Sequence, residues 1–156
     1  MDKAKILLVE DDLFIRDVYN ETLLTAGYTV ETAVNGQEAY DKMKQGGYDL
    51  VLLDIVMPVM DGLEVMRKIK SEMVSMPNKC VVFLTALDNE ANIKSALELG
   101  NGYIIKSQIT PADLLNEVKV YLEKTKNVGP QVPLQTAPPV ENPASLAPPS
   151  VTEPAK

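Results

Sequence analysis

Histidine is missing from all 156 residues of this chain, which rules out imidazole-based catalysis and histidine-held metals. Cysteine occurs once, as Cys80, so no intramolecular disulfide can form. Its neighbours VVFL favour an inert core thiol over a reactive one. No run of roughly 18 apolar residues is available to cross a bilayer. The N-terminus MDKAKILLVEDD lacks signal-peptide architecture. Basic runs are missing too, and a formal charge of −7 speaks against nucleic acid or an anionic membrane as partner. The glycine-rich phosphate loops GxGxxG and GxxxxGKS/T are absent. These features fit the cytoplasm.

What is present is enough apolar residue, 46%, to fill one core. From Asn127 the character shifts to GPQVPLQTAPPVENPASLAPPSVTEPAK, which has neither helical nor strand periodicity. Such a segment cannot bury enough apolar surface to offset the entropy of ordering. Residues 127–156 therefore read as a disordered Pro/Ala-rich tail, and residues 1–126 as the folded unit. Within that unit short apolar runs alternate with amphipathic segments five times. KILLV (5–9), DLVLLD (49–54) and KCVVFLT (79–85) read as buried strands; YTVETA (28–33) alternates like a half-exposed one, and YIIK (103–106) is the last. Helices are expected over 13–27, ending at a C-cap glycine, then 36–47, 61–73, 88–100 and 111–125. Thr110 is the N-cap of the last helix and Pro111 its first residue. Strands that are apolar throughout imply a parallel sheet covered on both faces. The (βα)5 order predicts a doubly wound α/β domain.

In a parallel sheet all strand C-termini share one edge. Glu10, Asp11 and Asp12 follow the first strand, Asp54 ends the third, Thr85 the fourth and Lys106 the fifth. Ligands of open α/β sheets bind at that rim, where strand order reverses. For order 2-1-3-4-5 the switch point falls between the strands carrying Asp11 and Asp54. This explains the carboxylate inside the apolar run VLLDIVMPVMDG: Asp54 is expected at an open strand tip rather than buried in the core. Neighbouring carboxylates repel and call for a hard cation such as Mg²⁺, which takes one or two carboxylates plus phosphate oxygens and water. With a lysine and a hydroxyl, these are the parts for moving a phosphoryl group onto an aspartate.

Four segments in order, ILLVEDD, LLDIVMPVMDGLE, FLTA and YIIK, together resemble the receiver domain of bacterial response regulators over residues 3–124. The resemblance implies a flavodoxin-like fold and a role in two-component phosphorelay signalling, of the single-domain chemotaxis or sporulation type. It implies Asp54 as phosphoacceptor and Asp11 as a direct Mg²⁺ ligand. Glu10 would act largely through water, and the main-chain carbonyl of Val56 would be a further ligand. Thr85 and Lys106 would hold the phosphoryl oxygens, and Tyr103 would be the aromatic that reorients on activation. The donor would be a histidine kinase or phosphotransfer protein. An unknown downstream protein would read the face formed by the fourth helix, fifth strand and fifth helix. The chain departs from the family in following Lys106 with Ser107 instead of proline. A cis bond there costs about 2.5–4 kcal/mol, against 0.5–1 before proline, so a trans Lys106–Ser107 bond is expected, with Ile109 as the apolar anchor.

Plainer readings exist for each residue. Asp12 can be only a helix N-cap, with Glu10 and Asp11 the functional pair; Asp54 can be a turn residue and Lys106 a solvated lysine. Thr85 can be ordinary β-propensity and Tyr103 core. Joint placement on one edge favours the functional reading. The expected function is a phosphorylation-dependent switch with no output domain of its own, and not an enzyme. One alternative is an aspartyl-phosphate hydrolase, which needs an acid/base carboxylate two residues after the nucleophile, where Val56 stands. The other is a scaffold module that is never phosphorylated.

Overall fold

Strand β1 (Lys5–Val9) begins the computed structural model, which describes residues 3–72, 77–86 and 90–127. Helix α1 (Leu13–Thr25) follows, then β2 (Thr29–Ala33), α2 (Gly36–Gln45), β3 (Leu50–Asp54) and α3 (Gly62–Lys70). The chain continues through β4 (Val81–Thr85), α4 (Glu90–Leu99), β5 (Gly102–Ile105), a 3-10 turn (Lys106–Gln108) and α5 (Pro111–Asn127). All neighbouring strands pair in parallel, in the order β2-β1-β3-β4-β5. This is the doubly wound α/β fold. Of the tail expected over 127–156, Asn127 is instead the last residue of α5, and 128–156 lie outside the described residues.

Alternation along the buried strands sorts their side chains into two cores. Leu7, Val9, Val51, Leu53, Val81 and Phe83 face α2, α3 and α4, meeting Ala39, Met43, Val65, Ile69 and Ala96. Ile6, Leu8, Leu50, Leu52, Val82 and Leu84 face α1 and α5, meeting Tyr19, Leu23, Leu114 and Val118. Each fully buried Leu, Ile, Val or Phe contributes about 1.5–3 kcal/mol relative to exposure, which is why the central strands are so firmly placed. Cys80 is buried, and burial pushes its thiol up to about 11, as an inert packing thiol requires.

Helix ends follow local chemistry. Asp12, Asn35 and Asp61 cap α1, α2 and α3, each accepting a hydrogen bond from the main-chain N–H three residues on. Thr110 and Asp113 exchange hydrogen bonds at the start of α5, closing a capping box. Helix α1 stops at Thr25, two residues before Gly27, its expected end. Gly27 instead sits just beyond the cap at φ 100°, while Tyr28 N–H donates to the Leu23 carbonyl and Gly27 N–H to that of Leu24. This is a Schellman ending. Strand β5 ends one residue early: Lys106 opens the 3-10 turn. No peptide bond among the described residues is cis, so Lys106–Ser107 is trans. Among the described residues no helix is long and apolar enough to cross a membrane.

Candidate functional site

The carboxyl ends of β1 and β3 are adjacent because Val9 pairs with Leu53 in register. Glu10 and Asp54 are therefore brought together from 44 residues apart in number, and Asp11 follows immediately. One carboxylate oxygen from each of Glu10, Asp11 and Asp54 lies within 4.8 Å of the others. Lys106 arrives from the far end of the chain. Its Nζ donates to Glu10 Oε1 at 2.9 Å and to Asp54 Oδ2 at 3.1 Å. The lysine thus bridges the two acidic strand ends.

Burial corrects one expectation. Asp54 is at a strand tip but is not open: it is 2% exposed and Glu10 0%. A buried carboxylate persists only when paired and hydrogen-bonded, and the Lys106 ammonium supplies the pairing. Burial first, and the charge of Glu10 second, still push the Asp54 carboxyl well above the usual carboxylate range, with Lys106 opposing. For Lys106 burial pulls the ammonium down, but its hydrogen bond to Glu10 and the charges of Asp54 and Glu10 outweigh that, so its net shift is upward. Asp11 is the exposed member of the trio. Asp12 is the N-cap, its side chain accepting from Ile15 N–H at 2.9 Å, and it is Glu10 and Asp11 that cluster with Asp54.

Thr85 is buried at the end of β4, paired in register with Ile105 just before Lys106. Tyr103 lies across from Phe83 on β5, half-buried against the core cluster under α4. Val56 follows in the bend after β3 with its side chain exposed, consistent with any role of this residue being played by its main chain.

Several participants escape sequence reasoning. Arg16, one turn into α1, reaches back to the main-chain carbonyls of Glu10 at 2.8 Å and Asp11 at 3.5 Å. An arginine four residues after an N-cap aspartate was the available signal. Gly62 lets α3 start against the site: a Cβ there would stand 2.2 Å from the Asp54 carbonyl oxygen. Its own N–H donates to the Ile55 carbonyl at 2.8 Å. Between them Val59 takes φ 75°, with Met60 N–H donating to the Pro58 carbonyl at 2.8 Å. That is a γ-turn of the strained kind, with a β-branched residue at its centre.

Three converging carboxyl groups, one of them exposed, form an oxygen donor set suited to a hard divalent cation. The cluster lies between β1 and β3, at the switch point of a doubly wound parallel sheet, where α/β domains of this class bind their ligands. The chain belongs to the response regulator receiver domain family, whose model matches residues 6–119. It is 36% identical over 129 residues to the transcriptional regulatory protein CrdR of Helicobacter pylori, covering 82% of this chain and 57% of that protein. It is 34% identical over 123 residues to ResD of Bacillus subtilis, covering 79% and 50%. The chain thus spans about half the length of these curated relatives. Among solved structures, a CheY-like receiver domain protein from Methanospirillum hungatei superposes with a TM-score of 0.72 at 30% identity, covering 82% of this chain and 100% of that one. The Vibrio cholerae chemotaxis response regulator CheY4 superposes at 0.66 and 29% identity, covering 77% and 99%.

Proposed function

We propose that this domain is a Mg²⁺-dependent phosphoacceptor that takes a phosphoryl group onto Asp54 and acts as a conformational switch, not as a turnover enzyme. The observation that carries the reading is Lys106 Nζ held between Glu10 and Asp54 at adjacent strand tips. A phosphohistidine of a partner kinase or phosphotransfer protein supplies the group, since this chain has no histidine. An Asp54 carboxylate oxygen attacks phosphorus. The P–O bond of an acyl phosphate forms as the donor's P–N bond breaks, and the imidazole nitrogen leaves with the electron pair. Lys106 and the Thr85 hydroxyl hold the phosphoryl oxygens. Asp11, Asp54 and the Val56 carbonyl, with Glu10 through water, would hold Mg²⁺, which supplies charge neutralisation to the transferring group. Tyr103 follows the change as the reorienting aromatic, and a downstream protein reads it from α4, β5 and α5. A carboxylate two residues after Asp54 would favour hydrolysis; Val56 stands there, which supports a lasting acyl phosphate.

Labelling with a small-molecule phosphodonor and Mg²⁺ tests this. A stable acyl phosphate on the parent, absent from Asp54→Asn, is the expected result. Rapid turnover would mark a hydrolase, and no labelling would mark a scaffold module.

A further inference from the structure

Asp11 is the one carboxylate of the trio that the protein does not aim through its own side chain. Glu10 is tied by Lys106 and by Asp12 N–H, which donates to its Oε2 at 3.2 Å; Asp54 is tied by Lys106. Asp11 is exposed, and its carboxylate makes no hydrogen bond among the described residues. The direction of its Cα–Cβ bond, from which the carboxylate swings, is therefore set by the backbone on either side of its Cα. Those two peptide planes end in the carbonyls of Glu10 and Asp11, and both accept from the same atom, Arg16 Nη1, at 2.8 and 3.5 Å.

The contact has a physical cause. Strand β1 ends at Val9, so the Glu10 carbonyl has left the regular ladder, although Glu10 N–H still donates to Ala33 at 3.1 Å. Glu10 is 0% exposed, and a buried carbonyl needs a donor. Side chains on a helix lean toward its N-terminus, and Arg16 begins its own helical bond at the Asp12 carbonyl, 2.9 Å away. Its guanidinium therefore falls on the loop directly behind the acidic pocket. One nitrogen, Nη1, serves both carbonyls, and a lysine ammonium, carried on a stem one bond shorter, would reach them less well.

We infer that Arg16 is a positioning residue of the cation site: by clamping the peptide planes on both sides of Asp11 it holds that carboxylate toward Glu10 and Asp54. The inference rests on the proposed function and deepens it. It is also opposite in sign to a simple charge effect, since a nearby guanidinium that acted only by repulsion would weaken cation binding and its removal would strengthen it.

Mg²⁺ titration of the full chain followed by amide NMR, on parent, Arg16→Gln and Arg16→Lys, tests the inference. Loss of an outer partner of a metal ligand commonly costs about 10–100-fold in affinity, so Arg16→Gln should bind Mg²⁺ at least roughly ten-fold more weakly, with Arg16→Lys in between. In metal-free buffer the amides of Asp11 and Asp12 should exchange faster in Arg16→Gln while those of β3 do not. Labelling by a small phosphodonor should slow at low Mg²⁺ and recover at saturating Mg²⁺. Equal or tighter Mg²⁺ binding by Arg16→Gln, even with a lowered melting temperature, would reduce Arg16 to a structural cap and overturn the inference. If Arg16→Gln fails to fold, parent-like affinity in Arg16→Lys overturns it. A parent that does not respond to Mg²⁺ at all would instead remove the functional reading beneath it.

Discussion

Glu10 and Asp54 leave the sheet from β1 and β3, central strands packed on both faces, whereas Lys106 leaves from β5, an edge strand whose residues alternate between buried and half-buried. The acidic half of the rim is placed by packing: both carboxylates continue strands that are almost fully buried. The cationic half is placed by charge. Lys106 lies in a short 3-10 turn, and ion pairs to Glu10 and Asp54 are what fasten it to the other side. One half would keep its geometry without the other, but not its stability.

The largest test of that asymmetry is Lys106→Met. It leaves two buried carboxyl groups facing each other without a cation, and removing one partner of a buried pair costs about 3–5 kcal/mol. Chemical denaturation in metal-free buffer should show a loss of that order, partly recovered when Mg²⁺ is added. An unchanged midpoint would mean that charge does not hold the cationic half.

Gly62→Ala probes the packed half. Its Cβ would sit 2.2 Å from main-chain oxygen of Asp54, so α3 must shift away from the site. Overpacking of this kind costs about 1–3 kcal/mol, and phosphodonor labelling should slow in parallel. Parent-like stability and labelling would show that the loop yields easily.

Asp54→Asn separates the two halves by pH. Burial and Glu10 hold the Asp54 carboxyl up, so folding favours its protonated form. The stability this group contributes is present below the ordinary aspartate pKa of about 3.9 and is lost as pH rises through the raised folded value. The amide has no such loss. In metal-free buffer Asp54→Asn should therefore gain on the parent between acid pH and neutrality, by on the order of 1–2 kcal/mol. Parallel pH profiles for the two proteins would contradict it.

The smallest expected effect is at Val59. A left-handed backbone costs a non-glycine residue roughly 1–2 kcal/mol, and glycine gives back some of this as lost chain entropy. Val59→Gly should raise the melting temperature slightly, worth about 1 kcal/mol or less. A fall would show that the exposed side chain makes a contact outweighing the strain.

The layers of this protein were legible in its sequence because they rest on local rules. Runs such as KILLV and VVFLT are apolar at every position, which only a strand covered on both faces can use, and Asp12 and Thr110 stand where helices start. Chain order alone then sends Glu10, Asp11, Asp54, Thr85 and Lys106 to one edge, so their shared edge was readable before its geometry. What only the tertiary structure decided is how those groups meet. The burial of Asp54, the 2.9 and 3.1 Å bridge of Lys106 and the reach of Arg16 depend on strand register and helix placement. The Lys106–Glu10 pair spans 96 residues, and no sequence period reports a contact of that range. The same holds for Gly62, whose need for no side chain arises from a carbonyl eight residues back that folds against it. Local pattern chose the elements and the edge; desolvation and charge, acting between parts distant in the chain, chose the pairing within it.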